Sequence, residues 1–519
     1  MMRPVVLAVI AIAGCKGNRS TGAESHSSGA PAAGDSSGAA GSYGSKRASD
    51  SNGTTADGSI GVGSNGATVA NANGSNASGA NAANGSKSAG AVTTTNAGPG
   101  WAGALSLVRG KASATSVAID SKGNAIVALN FEHSITIGSE TFDGGEGGSL
   151  LIKVPLAGGP IAWTKLLGKD NGVDYVTVAV DSKDAIVLTA TMRGTADLGG
   201  GPLTSAGDKD VLLAKLGADG THLWSKRFGG REPDRPTNVA VDAKDNIAIA
   251  GYYADEADFG GKKLTGKNSA EMFVARYTPA GKIVFANRVS GGGEEQSEMY
   301  SVAVDAKSNV IAIGAFSGKL DLGGKPLAGI AGKAIQTFVV AYTPAGGIAW
   351  STVYAPGGMT MANIVHVDKT GNVILAGTDM NMPVDQNNMV SFDVASGAPT
   401  QGAMKSFVAE LGPDHKPKWS IAISNLGMGD TVEHAIADSG EVLVVGNAAS
   451  APFGLSALHD TKHFFARISP AGVLVSAVSI PEATEITASP KLATRGTTVV
   501  IAVQTGGGAT RGLTLLRPE

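Results

Sequence analysis

The stretch Val239–Gly251, VAVDAKDNIAIAG, consists of two alternating apolar runs around an Asp-led polar turn. Side chains that switch faces at period two are the mark of strands, so the stretch predicts a tight β-hairpin. Near-copies recur through the second part of the chain. The aspartate closing the first apolar run falls at Asp120, Asp181, Asp242, Asp305, Asp368 and Asp438, at steps of 61, 61, 63, 63 and 70 residues. A degraded copy spans Lys491–Val503, with Arg495 near the Asp position. A repeat of fixed period constrains the architecture before any single residue does.

Each copy holds more than the hairpin. In the second, Val178–Asp181 and Ala185–Ala190 are followed by a Gly-rich excursion from Thr195. Two further alternating runs, Val211–Leu216 and His222–Phe228, flank the turn Gly217–Gly220. Four short strands per repeat, joined by Gly/Pro/Asp turns, are the sequence form of a β-propeller blade. All five tryptophans occupy one column: Trp101, Trp163, Trp224, Trp350 and Trp419 stand 18 or 19 residues before the next aspartate, with Phe285 and Leu474 in the remaining copies. The last copy, ending in Gly512–Arg517, lacks a fourth strand, and Trp101–Arg109 is the segment left to supply it. The expectation is therefore all-β: a seven-bladed β-propeller over residues 101–519 with four-stranded antiparallel blades, the ring closed by the N-terminal strand so that no edge is left open.

The VAVD–turn–N(I/V)xxxG hairpin, the (A/L)D(L/F)GG excursion, the FVA(R/K)-like third strand and the W-x-K-x-x-G fourth strand resemble the bacterial β-propeller repeat proteins of the seven-bladed SBBP type. The resemblance covers essentially Trp101 to Glu519. It implies an architecture and little about activity, because function on such folds sits in grafted loops.

The N-terminus, MMRPVVLAVIAIAGCKG, has a short basic start at Arg3 and an apolar run, Pro4–Ala13, too short to span a bilayer. Ile12-Ala13-Gly14-Cys15 resembles a bacterial lipobox, and Cys15 is the only cysteine of the chain. That resemblance implies a lipoprotein signal peptide at 1–14, a mature chain beginning at an acylated Cys15, and stable anchoring by several acyl chains. Lys16 after the cysteine favours the outer membrane, with the chain facing periplasm or cell surface; the competing reading is an ordinary signal peptide. Residues 15–100 are Ser, Gly, Ala, Asn and Thr with Tyr43 as the sole aromatic before Trp101, a composition that predicts a disordered tether. As a flexible coil it would span roughly 50 Å.

The recurrent Asp reads as a turn residue accepting backbone amides. A calcium loop would need ligands at alternate positions, where DSKGN and DAKSN place lysine. The pairs Gly199-Gly200, Gly260-Gly261 and Gly323-Gly324 read as hairpin turns needing positive φ. His459 and His463 are the only close histidines, and two ligands do not close a zinc site. No nucleophile elbow appears, no cofactor or metal is expected, and a formal net charge of −3 gives no basic stripe for nucleic acid. The loops entering each blade are acidic: Asp170 and Asp174, Glu232 and Asp234, Glu294, Glu295 and Glu298, Asp430 and Glu433. On one rim they would attract cations or a basic partner; Arg231 and Arg235 dilute that field, and solvated loops are the plainer account. The functional expectation is a monomeric, membrane-anchored, non-catalytic module that binds or scaffolds a protein, peptide or glycan. The alternative is a propeller enzyme of lyase or quinoprotein-like type with its site at the channel mouth.

Overall fold

The computed structural model describes residues 87–92, 94–95, 101–266, 270–291, 297–380, 404–425, 432–447, 463–480, 489–505 and 512–518. Cys15, the signal segment and residues 15–86 of the tether lie outside the described residues. Among those described there is no helix, and every strand pairing is antiparallel apart from one isolated bridge.

The opening hairpin shows how each sheet is built. Arg235–Val241 pairs with Ile247–Tyr253, then come Glu271–Tyr277 and Ile283–Gly291, in chain order across one meander. The middle strands are buried along their length except at Tyr252, as strands packed on both faces must be. Calling this sheet 3, its inner strand has counterparts in Ala112–Ile119 (sheet 1), Val173–Val180 (sheet 2), Ser297–Val304 (sheet 4), Met359–Val367 (sheet 5), Val432–Ile436 (sheet 6) and Lys491–Arg495 (sheet 7). Each inner strand touches that of the next sheet, and Lys491–Arg495 touches Ala112–Ile119. In sheet 7 the order is Lys491–Arg495, Thr498–Thr505, Gly512–Pro518, Trp101–Arg109, so Trp101–Arg109 is the outer partner of the last strand described. Trp101 packs against Phe465 of sheet 6, ring centres 6.1 Å apart. Arg495 donates to Ile119 O at 3.2 Å and Gln504 to Ala112 O at 3.2 Å, tying sheet 7 to sheet 1.

The Asp column is a turn device and something more. Asp120 Oδ1 accepts from Lys122 N and Asn124 N at 2.9 and 2.8 Å, and the pattern repeats at Asp181, Asp242, Asp305 and Asp368. In sheets 1 to 3 the other oxygen also meets a buried cation from the third strand: Lys153 at 2.8 Å, Lys215 at 2.7 Å and Arg276 at 2.6 Å. Burial pushes the Asp120 carboxyl up, but hydrogen bonds from Lys153 and Asn124 outweigh it and hold it below the usual range. The FVA(R/K) motif thus exists to neutralise the VAVD motif. Neighbouring turns are also stitched together: Ser121 donates to Asp184 through N and Oγ at 2.7 and 2.6 Å, and Ser182 to Asp245 at 2.9 Å twice.

In the sixth copy the column is occupied by Ala437, not Asp438. Ala437 N bonds Glu441 O at 2.9 Å just as Asp368 N bonds Asn372 O at 3.0 Å, whereas Asp438 is exposed and pairs with Lys369. Three members of the Trp column share one role. Trp163, Trp224 and Trp419 each donate Nε1–H at 3.2 Å to a carbonyl in the last turn of the next sheet, at Ala218, Pro279 and Pro470. Gly220, Gly281 and Gly472 in those turns lie against the indoles with φ of +81°, +71° and +77°, where a side chain would both strain and collide. The Gly-Gly pairs take positive φ as expected at Gly199, Gly260, Gly261, Gly323 and Gly324.

One boundary moves. Lys87–Val92 lies inside the stretch read as tether, yet it pairs with Gly159–Gly168 at the outer edge of sheet 1, and Thr94–Thr95 pairs with Trp101–Arg109. A free sheet edge offers a row of backbone donors and acceptors, which any extended segment can satisfy whatever its side chains.

Candidate functional site

The inner strands surround a cavity of about 920 Å³ to which all seven of them contribute. Counting back from the turn column, the fourth residue forms a belt on its wall: Ser116, Thr177, Asn238, Ser301, Ile364, Glu433 and Lys491. Hydrogen bonds join belt residues to the neighbouring inner strand. Asn238 Nδ2 donates to Ser301 Oγ at 3.0 Å, Lys491 Nζ to Glu433 at 2.8 Å, and Ser116 Oγ accepts from Val178 N at 3.2 Å. The belt is incomplete: Thr177 Oγ1 and, one residue above Ile364, Asn363 Oδ1 have no hydrogen-bond partner among the described residues.

Just above the belt each of five consecutive inner strands slips register, between Ala114 and Ser116, Asp174 and Thr177, Pro236 and Asn238, Met299 and Ser301, and Ala362 and Ile364. A bulge leaves its extra residue unpaired and re-aims its side chain. The residues so released, Thr115, Tyr175 and Val176, Thr237, Tyr300 and Asn363, all line the cavity. Tyr175 stands out, 47% exposed in a positive-φ conformation (+53°) that a bulky residue takes only under constraint. Asp174, bonded to Asn130 and accepting from Tyr175 N at 2.7 Å, supplies that constraint.

The charged groups here engage partners within the wall. Tyr300 OH donates to Glu298 at 2.5 Å; Arg235 stacks on Tyr252 with its guanidinium carbon 4.8 Å from the ring centre. Tyr252 OH donates to Met299 O at 3.0 Å and accepts from Met299 N at 2.8 Å. Burial raises the Tyr252 and Tyr300 hydroxyls far above the usual tyrosine range, so both remain protonated donors.

The acidic rim resolves into separate roles. Glu298 and Glu433 line the cavity, and Asp174 sets Tyr175. Asp170 is exposed but accepts from Glu146 N at 3.2 Å, bracing the long hairpin of sheet 1. Glu232 is exposed and does not line the cavity. Glu294, Glu295 and Asp430 lie outside the described residues, as does His459, while His463 opens a strand of sheet 6.

Asp234 is not a rim residue at all. It is completely buried, accepting from Gly230 N at 2.6 Å and Ala254 N at 3.3 Å, and burial lifts its carboxyl to about 7. Asp210, equally buried and also raised by burial, comes from the third strand of sheet 2. A Cβ placed on Gly229 would meet Asp210 Oδ1 at 2.3 Å and Asp234 Oδ2 at 2.4 Å, so these two oxygens converge on one point. Asp210 Oδ1 has no partner of its own, and a proton on Asp234 would supply one.

A second pair went unread in the sequence. His366 Nδ1 and His434 Nε2 are 3.2 Å apart between the inner strands of sheets 5 and 6, ring planes at 88°. Burial pushes His366 down to about 4 and holds His434 well below the usual histidine range, so both are neutral at pH 7. They sit at different offsets from their turns, which hides the pairing from any column-by-column reading. Among the described residues no three His, Cys, Asp or Glu side chains come together as a metal-binding group.

No family model matches this chain. A curated protein that it resembles is an uncharacterized WD repeat-containing protein of Acanthamoeba polyphaga mimivirus, 27% identical over 191 residues, 31% of this chain and 14% of that protein's length. The chain therefore matches only a small part of that relative. Among solved structures, a protein of unknown function from Dyadobacter fermentans aligns over 81% of this chain and all of its own length (8% identity, TM-score 0.41). A gluconolactonase from Xanthomonas campestris aligns over 83% and 98% (11%, 0.34), and the PQQ-bound aldose sugar dehydrogenase of Streptomyces coelicolor over 84% and 100% (13%, 0.35).

Proposed function

We propose that the chain is a seven-bladed β-propeller, its ring closed by Trp101–Arg109, acting as a non-catalytic binding module at the cell envelope. Cys15 would carry the lipid anchor, the segment after it would hold the domain off an outer-membrane surface, and the mouth of the central cavity would take part of a protein, peptide or glycan partner. The observation that carries the binding reading is the recurrent bulge. Five strands depart from the ladder at one level, and the residues so released all lie on the wall of the same cavity. A closed ring needs no such bulges for stability, and bulges gather where a strand must aim a side chain. The cavity lies within the size range of ligand sites.

The test places a photo-crosslinking amino acid at Tyr175 and, as a control, at Leu223 on an outer strand, in the native envelope. Capture of one discrete partner from position 175 alone is expected. Equal capture from both positions, or from Leu223 only, would refute the assignment of the mouth as the binding surface.

A further inference from the structure

We propose that the ligand taken at this mouth is an uncharged saccharide, stacked on Tyr175 and hydrogen-bonded to the polar belt beneath it. The inference rests on the binding reading above and narrows it to one chemistry. The charges at the mouth come in both signs and are already engaged: Glu433 with Lys491, Glu298 with Tyr300 OH, Arg235 on the Tyr252 ring. An anion drawn to Lys491 meets Glu433 beside it, a cation drawn to Glu433 meets Lys491, and at Glu298 or Arg235 an ion must compete with a contact already made. A neutral polyol meets no such opposition, because hydroxyls both donate and accept, and can add to each of these groups without dismantling it.

The belt supplies neutral partners of the same kind on the cavity wall: the hydroxyl of Ser116, the amide of Asn238 and, once it rotates out of its buried position, the hydroxyl of Thr177. Thr177 Oγ1 forgoes no hydrogen bond when it rotates towards the cavity, since it makes none among the described residues. Above the belt, Tyr175 is half exposed on the cavity wall and is held in its positive-φ conformation by the hydrogen bond from its N–H to Asp174. A strained, exposed aromatic is a platform for an apolar face, and a pyranose ring has such a face with hydroxyls around its rim.

The experiment titrates the purified full-length chain by calorimetry with neutral hexasaccharides (cellohexaose, maltohexaose, laminarihexaose, xylohexaose and chitohexaose), with polygalacturonate as polyanion and polylysine as polycation. Binding of at least one neutral hexasaccharide is expected, with little change between low and high salt. Tyr175→Ala should weaken it roughly tenfold, the scale of one aromatic contact, while Tyr175→Phe retains it. Thr177→Val should weaken it by a smaller factor with the thermal transition unchanged. Binding of polygalacturonate or polylysine alone, salt-sensitive and lost in Tyr175→Ala, would overturn the saccharide class and leave the mouth as the binding site. Neutral binding that ignores both substitutions would overturn the proposal and place the ligand elsewhere. No binding by any neutral probe would overturn it as well, with capture at position 175 still deciding the mouth.

Discussion

Replacing Asp234 by asparagine tests the most unusual charge in the molecule. Its carboxyl is raised from 3.8 to about 7, chiefly by burial, with the nearby Asp210 adding to the rise. A folded pKa above the unfolded one means that the native state holds a proton the unfolded chain releases. The resulting stability is fully present below about pH 4 and is lost as pH rises through about 7. A separation of about three units corresponds to about 4 kcal/mol between those limits. The amide of the Asp234→Asn variant would be neutral throughout but has one acceptor oxygen where the carboxyl has two. Either Gly230 N or Ala254 N then loses its partner, costing about 1 kcal/mol at every pH. The variant should therefore be about as stable as the parent at pH 4.5 and more stable at pH 8.5, by about 3 kcal/mol. Denaturant unfolding followed by tryptophan fluorescence at both pH values gives the double difference, in which other titrating groups cancel. A variant destabilised equally at both would refute the shared-proton assignment for Asp210 and Asp234.

The histidine pair has the opposite sign. His366 is lowered to about 4 by burial, so its contribution is present above about pH 6.5 and lost as pH falls through about 4; His366→Gln with His434→Leu should shift the midpoint of acid unfolding to lower pH. Arg276→Met leaves Asp242 buried without its cation and should cost about 3–5 kcal/mol in denaturant unfolding, with Asp242→Asn added to it recovering a large part. Cys15→Ser should move the chain from the membrane to the soluble fraction, and retention on membranes would contradict the anchor.

Much of the fold was legible because the repeat writes its structural parts in most copies. The VAVD turn, the basic third-strand residue of sheets 1 to 3 and the Trp against the next turn stand at fixed offsets and meet corresponding partners. The reading slipped where a copy lacked its marker: Ala437 has no carboxylate, and Asp438 beside it drew the alignment one residue out. It also missed Lys87–Val92, because backbone pairing at an edge leaves no pattern in the side chains. The site was less legible for a different reason. Acidity in a loop suggests exposure, yet Asp234 is buried, accepting from Gly230 N just past the W-x-K-x-x-G strand and from Ala254 N, a pairing that nothing in the sequence marks. The cavity wall is set by bulges, and a bulge depends on a register between strands rather than on residue type. Tyr175 and Thr177 look ordinary in the sequence; their strain and missing partners exist only in three dimensions.

The central claim is that the two ends of the domain meet in one sheet. Ser106 Oγ and Thr514 Oγ1 are 3.5 Å apart across that junction, from residues 408 positions apart in sequence. With Cys15→Ser as background, Ser106→Cys and Thr514→Cys introduced together should oxidise to an intramolecular disulfide in the monomer. That bond should raise the unfolding temperature, which reduction should return to the parental value. Failure to form the bond in folded protein, or its formation only between chains, would contradict the closure on which the cavity and its mouth depend.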